Sequence, residues 1–358
     1  MWITRFILFV VFLNFLDAFD ERYRIPQRYA IDLDTRPEDR WNQVIDDHLD
    51  AIPLLLEEAK SYIPVYLQKP LFWIAEKLSA VFPEEYVREM RGIANRSGLA
   101  FGEVVGLNIL YDITSFNHRI FSPFACTSIV AEDSKGRIYH GRNLDYEMGS
   151  LLRNTTILVD FIKDNSTVFT TTTFVLYVGV LTGQKPNAYA ISLNARYDGA
   201  YIDNIFMELV TLFRNPVSFD IRKTLETKDN YWSAIEHLSQ VHFVAPSYLI
   251  ISGVKTGQGV IITRNRWAAA DIFELNISKG RWFLVETNFD HWKKPGDDRR
   301  ESAIRFLTGL KRGFLNDNTL LVRVLGKSPV NNNLTIFSSV MSAANPKIIY
   351  DATRIWLK

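Results

Sequence analysis

The sequence predicts an α+β protein in which stacked antiparallel sheets are covered by helices. Three features predict it. Before Cys126, apolar residues recur at helical spacing; from Cys126 onward the chain breaks into short runs of β-branched and aromatic residues. No Gly/Ser-rich linker divides the two textures, so they read as parts of one unit rather than as independent domains. With 358 residues, 47% of them hydrophobic, the chain can bury a large core.

The elements follow in order. MWITRFILFVVFLNFLDAF places Arg5 before an apolar run from Phe6 to Phe15 and the small Ala18 after it, the layout of a signal peptide over residues 1–18. The run is well short of the about 20 residues that a membrane-spanning helix needs. Helical patterns then cover Val44 to Ala59, Leu71 to Phe82 and Glu84 to Asn95, with Pro53, Pro64, Pro70 and Pro83 marking turns or helix starts. No strand is evident before Cys126.

From Cys126 the runs CTSIVA and RIYHGRN flank a turn at Asp133 to Gly136, and this reads as a hairpin. ILVDFI, TVFTTTTF and AYAISL are further strands. Tyr201 to Gln240 reads as helical, since Ile205, Leu209, Leu212 and Phe213 recur at helical spacing. SYLIISG, GVIITRN, DIFEL and RWFLVETN form a second set of strands. Asp298 to Leu310 is one more helix, and LTIFSSVM a late strand.

Charge and motif content exclude several functions. Lys plus Arg (41) nearly balances Asp plus Glu (40), without the basic excess that nucleic-acid binding needs. GxSxG, HExxH, Walker and CxxC motifs are missing from the sequence, and Gly257-Gln-Gly259 is too short to cradle a phosphate. His237 and His242 are offset by five positions and miss the helix spacing that pairs two metal ligands. Neither a cofactor nor a metal is expected. Five Asn-x-Ser/Thr triplets, at Asn95, Asn154, Asn165, Asn276 and Asn333, fit passage through the secretory pathway to the lysosome or the exterior.

The chain has one cysteine, Cys126, so it forms no internal disulfide. A lone cysteine is ordinarily a small buried hydrophobe. Here it opens a strand whose hairpin partner carries Arg142, with Asp145 just beyond, so a cation and a carboxylate lie within reach of the sulfur. The cation favours thiolate, and the carboxylate can orient an amine or an imidazole. No histidine is placed to act as base, but cleavage before Cys126 would free an α-amine on the nucleophile itself.

Cys126-Thr-Ser-Ile-Val-Ala and His140-Gly-Arg-Asn-Leu-Asp-Tyr146 resemble the acid ceramidase and N-acylethanolamine acid amidase family. Similar segments recur in order at Tyr29 to Asp34, Tyr177 to Gly183, Val260 to Arg266, Glu286 to Trp292 and Asp297 to Arg300. The resemblance implies an αββα sandwich of the N-terminal-nucleophile hydrolases. It also implies a precursor cut between Ala125 and Cys126 into an α chain, 19–125, and a β chain, 126–358, paired without a disulfide. Cys126 would be nucleophile and, through its new amine, base. Asp145 would hold that amine, and Arg142 would sit beside the sulfur. Asn288 would donate to the oxyanion, and Arg299 would either support the site or belong to a solvated helix start capped by Asp297 and Asp298. In place of the family's Asn-Glu-Arg, this chain has Asn194-Ala195-Arg196, and so lacks a carboxylate that relatives place toward the active-site arginine or the cleavage region.

The implied activity is hydrolysis of a lipid amide. The short YEMGSLLRNTTILVDF segment and the missing cysteine pairs resemble the N-acylethanolamine branch, with ceramide as the alternative substrate and a catalytically silent lipid-binding relative as a third reading. The apolar segment from Ile52 to Phe82 is suited either to packing on the sheets or to lying on a bilayer.

Overall fold

The structure is a computed structural model that describes residues 22–114, 124–196 and 215–358. Its N-terminal part starts with two strands, β1 (Tyr23–Arg24) and β2 (Gln27–Asp32), then five helices: α1 (Asn42–Asp46), α2 (Ile52–Ser61), α3 (Val65–Leu78), α4 (Glu84–Ser97) and α5 (Phe101–Thr114). The helix expected over Val44 to Ala59 is two helices, because Pro53 has no N–H to donate and so sits in the first turn of a new one. Pro83 is the residue immediately before α4, and Gly98, at φ 74°, ends it in the left-handed region. The strand β2 lies where none was expected.

The rest of the chain is β3 (Phe124–Glu132), β4 (Ile138–Tyr146), α6 (Gly149–Thr155), β5 (Thr156–Lys163), β6 (Ser166–Phe174), β7 (Thr182–Lys185) and β8 (Tyr189–Ala195). Then come α7 (Val217–Thr227), α8 (Tyr231–Gln240), β9 (Ser247–Ser252), β10 (Gly259–Arg264), β11 (Ala269–Glu274) and β12 (Phe283–Glu286). Last are α9 (Arg299–Leu310), α10 (Asp317–Leu320), β13 (Thr335–Met341), α11 (Ile348–Asp351) and β14 (Thr353–Trp356). The expected helical positions Ile205, Leu209, Leu212 and Phe213 lie outside the described residues.

The strands form two stacked sheets. One runs β1-β14-β13-β4-β3-β12 and the other β11-β10-β9-β8-β7-β6-β5-β2. Every pairing is antiparallel except β2 with β5, which is parallel and ties the N-terminal segment into the larger sheet. Val130, Ile138, Tyr248, Ile250 and Leu284 pack between the sheets. Leu307, Leu320, Val324 and Leu325 cover the outer face of the smaller sheet through Ile129, Tyr139 and Val340. Helices of the N-terminal segment, with α7 and α8, cover the larger one. The chain is thus an αββα sandwich, and its central strands are buried on both faces.

Candidate active site

The β3–β4 hairpin sets the site. Its register pairs Cys126 with Leu144, Ala125 with Asp145, and Ser128 with Arg142. Side chains two residues apart on a strand share a face, so Arg142 lies on the same face of the ladder as Cys126. Cys126, Arg142 and Asp145 are all fully buried.

Two residues distant in sequence complete the cluster. Asn288, just past β12, accepts through Oδ1 from the backbone N–H of Cys126 at 2.9 Å, and its Nδ2 donates to the carbonyl of Ala195 at 2.9 Å. Arg299, at the start of α9, donates to the Cys126 carbonyl at 2.6 Å and to Asn288 Oδ1 at 3.1 Å, and stands 3.7 Å from Asp145. It is no solvated helix end: it is 6% exposed, and its charge faces the cysteine. All five residues that the sequence singled out for chemistry therefore converge on one place.

Three further residues belong to the cluster. Asn332 Nδ2 donates to Asp145 Oδ2 at 3.0 Å, and Thr335 also bonds that carboxylate. Asn194 Oδ1 accepts from Arg142 Nη1 at 2.7 Å. Nothing local in the sequence marks Asn332 or Thr335; Asn194 was visible only as the neighbour of the departure at Ala195. That departure falls at the site itself, since Ala195 is buried and its carbonyl holds Asn288.

Burial pushes the Cys126 thiol up from its ordinary value; Arg142 and Arg299 pull it down, and Asp145 pushes it further up. Arg142 alone therefore does not make the thiol acidic. Burial also raises Asp145, against the pull of Arg299, Thr335, Asn332 and Arg142. Asp145 Oδ1 is buried and accepts no hydrogen bond among the described residues, which leaves acceptor capacity within the cluster.

A cavity with an almost wholly apolar lining opens beside this cluster. Leu144, the cross-strand neighbour of Cys126, is part of its wall, with Tyr146, Leu152, Phe174 and Leu181. Leu55 of α2 and Leu107 of α5 close it from the N-terminal segment. Among the described residues, no group of three His, Cys, Asp or Glu side chains is placed to hold a metal ion.

A buried thiol flanked by arginine, carboxylate and carboxamide, at a strand start in an αββα sandwich, defines an amidohydrolase. The family of linear amide C-N hydrolases, the choloylglycine hydrolase family, matches residues 126–305. The beta-subunit family of N-acylethanolamine-hydrolyzing acid amidase matches residues 24–85. The chain is 52% identical, over 90% of its length and 91% of the relative's, to an N-acylethanolamine-hydrolyzing acid amidase of Caenorhabditis elegans. An acid ceramidase of Mus musculus is 34% identical over 87% of this chain and 82% of its own. A solved structure of the C. elegans N-acylethanolamine-hydrolyzing acid amidase ortholog superimposes with a TM-score of 0.62 at 51% identity, over 65% of this chain and all of that one. The chain belongs to the family of N-acylethanolamine-hydrolyzing acid amidases.

Proposed function

We propose that this protein hydrolyses N-acylethanolamines to fatty acid and ethanolamine, with Cys126 as the nucleophile after the chain cuts itself between Ala125 and Cys126. The observation that carries the proposal is the apolar cavity bounded by Leu144, directly across the ladder from Cys126. A cavity so lined suits an aliphatic chain, and in this reading the acyl chain lies in it with its carbonyl end toward the sulfur.

After the cut, the free amine of Cys126 takes the thiol proton, and the sulfur attacks the amide carbonyl. The C–N bond breaks as the ammonium returns its proton to the leaving amine, and water then releases the fatty acid from the thioester. Asp145 Oδ1 receives the ammonium. Arg142 stabilises the thiolate. Asn288 keeps one amide N–H beyond its bond to Ala195, and this N–H faces the oxyanion. Arg299, already on the Cys126 carbonyl, fixes the nucleophile.

The signal-peptide pattern over residues 1–18 supports entry into the secretory pathway and a lysosomal or extracellular destination. Asn95, Asn154, Asn165 and Asn333 are exposed and Asn276 is half-buried, so the first four are well placed to carry glycans. The helix α3 exposes Val65 (81%), Tyr66 (78%) and Trp73 (61%), an apolar surface suited to docking on a bilayer that supplies lipid substrate. Among the described residues no helix is long and apolar enough to cross a membrane.

The test is N-terminal sequencing after incubation at acid pH, together with turnover of a panel of N-acylethanolamines and ceramides. A fragment starting at Cys126 and preferential N-acylethanolamine turnover are expected. Preferential ceramide turnover would move the assignment to the ceramidase branch, and an uncut, inactive chain would leave a lipid-binding relative.

A further inference from the structure

Asn194 sits at the centre of the polar layer between the two sheets. Its Oδ1 accepts from Arg142 Nη1 at 2.7 Å and from Ser128 Oγ at 2.7 Å. Its Nδ2 donates to the carbonyls of Glu286 and Thr287, at 3.0 and 2.7 Å. Both lone pairs and both N–H groups of the amide are therefore used, and the residue is fully buried. One end fixes the cation beside the cysteine; the other fixes the two peptide units directly before Asn288. Arg142 is fixed further by the Leu193 carbonyl at 2.7 Å. On the far side, Ser128 Oγ accepts from Ser192 Oγ at 2.8 Å, and Ser192 Oγ lies 2.7 Å from Nε2 of buried His140.

We infer that Asn194 is a positioning residue for amide hydrolysis: its carboxamide couples the placement of Arg142 at the Cys126 thiol to the placement of Asn288. The inference rests on Cys126 being the nucleophile. Substitution at Asn194 then disturbs two parts of the site that lie far apart in sequence, without removing any group that touches substrate. A purely structural asparagine would lower stability and leave the chemistry of the surviving folded enzyme unchanged.

The charged side chains around the Cys126 sulfur are Arg142, Asp145 and Arg299, joined after the cut by the residue's own α-amine. Because Cys126 is the chain's one cysteine, alkylation by iodoacetamide, followed by mass, reports on it without ambiguity and without any amide substrate. In Asn194→Ala, freeing Arg142 raises the pH midpoint of alkylation by about one unit. The kcat for N-palmitoylethanolamine falls by about tenfold or more, with KM nearly unchanged. In Asn194→Asp, the acceptor for Arg142 survives while an oxygen meets the Glu286 and Thr287 carbonyls, so kcat falls without the upward shift in midpoint.

A folded Asn194→Ala protein with wild-type kcat and wild-type alkylation midpoint would overturn the inference, whatever its Tm. Should Asn194→Ala fail to fold, Ser128→Ala removes one donor to the same oxygen and carries the same readouts; unchanged values there overturn it equally. If the wild type turns over no N-acylethanolamine, the substrate assignment fails by itself, and the alkylation midpoints still decide the role of Asn194.

Discussion

Arg222 grips the carboxylate of Glu89 with both ends of its guanidinium, Nη1 to Oε2 at 2.6 Å and Nη2 to Oε1 at 2.7 Å. Glu89 lies on α4, before the Ala125–Cys126 bond, and Arg222 on α7, after it. Arg40 and Trp41 complete the carboxylate's partners at 2.8 Å each. Two segments that share no disulfide are thus joined by a buried, bidentate ion pair. Removing one partner strands the other charge, so Glu89→Ala should cost about 3–5 kcal/mol. Denaturant unfolding measures that loss, and after cleavage, size-exclusion chromatography should show the fragments separating.

The same pair should withstand acid. Burial by itself would raise the Glu89 pKa, but Arg222, Trp41 and Arg40 overcome it and hold the group below the ordinary glutamate value. A depressed carboxylate contributes stability in full above its unfolded pKa, and loses it only as pH falls through the folded value. The Glu89→Ala penalty should therefore be equal at neutral and mildly acid pH. A penalty that vanished on mild acidification would contradict this.

Cys126→Ala should leave a single uncut chain on a denaturing gel and abolish turnover. Asn288→Ala should reduce turnover by about a hundredfold to a thousandfold, the usual cost of one oxyanion donor. It should slow cleavage less, because Arg299 still holds the Cys126 carbonyl. Comparable turnover by Cys126→Ala would refute the nucleophile.

Much of this site was legible because hairpins are local. A turn at Asp133 to Gly136 folds Arg142 and Asp145 back on Cys126, and the paired register follows from the turn. Asn332 and Thr335 were not legible, since β13 and the loop before it reach Asp145 from far along the chain, 187 residues away at Asn332. Four strands escaped: β1 and β14, only two and four residues long, and β2 and β7, each for its own reason. β2 precedes a run of helices, and only Tyr29 and Ile31 of its six residues are buried; β7 has four residues and little apolar content. The polar content of β4 also hid its depth: His140, Arg142, Asn143 and Asp145 are all buried, and their partners come from other strands and loops.

Asp220, on α7, should make the fold more stable in acid. Burial pushes its carboxyl up to about 7, against the pull of Lys223 and Arg264. Its folded pKa lies above its unfolded value, so its stabilising proton is lost as pH rises through about 7. Through this group alone the protein should be on the order of 2 kcal/mol more stable at about pH 5 than at about pH 7.5. In Asp220→Asn that difference should disappear, as read from urea unfolding at the two pH values.

Tyr66→Ser combined with Trp73→Ser should weaken binding to lipid vesicles, because each change removes an exposed aromatic from α3. Turnover of a short-chain, water-soluble amide should remain at the wild-type level, since neither residue lines the cavity. Equal vesicle binding by the double variant and the wild type would assign these aromatics no part in docking.

The cavity predicts how rate depends on acyl length. Each methylene that enters apolar surroundings contributes about 0.8 kcal/mol, so kcat/KM should rise about fourfold per carbon until the cavity is full. Leu107, on α5, closes the cavity from the N-terminal segment, away from the strand pair that holds Cys126 and Leu144. Leu107→Trp should therefore leave short-chain amides unaffected and make the rise level off at a shorter chain. If the variant lowered kcat/KM equally for every length, the acyl chain would have to lie elsewhere.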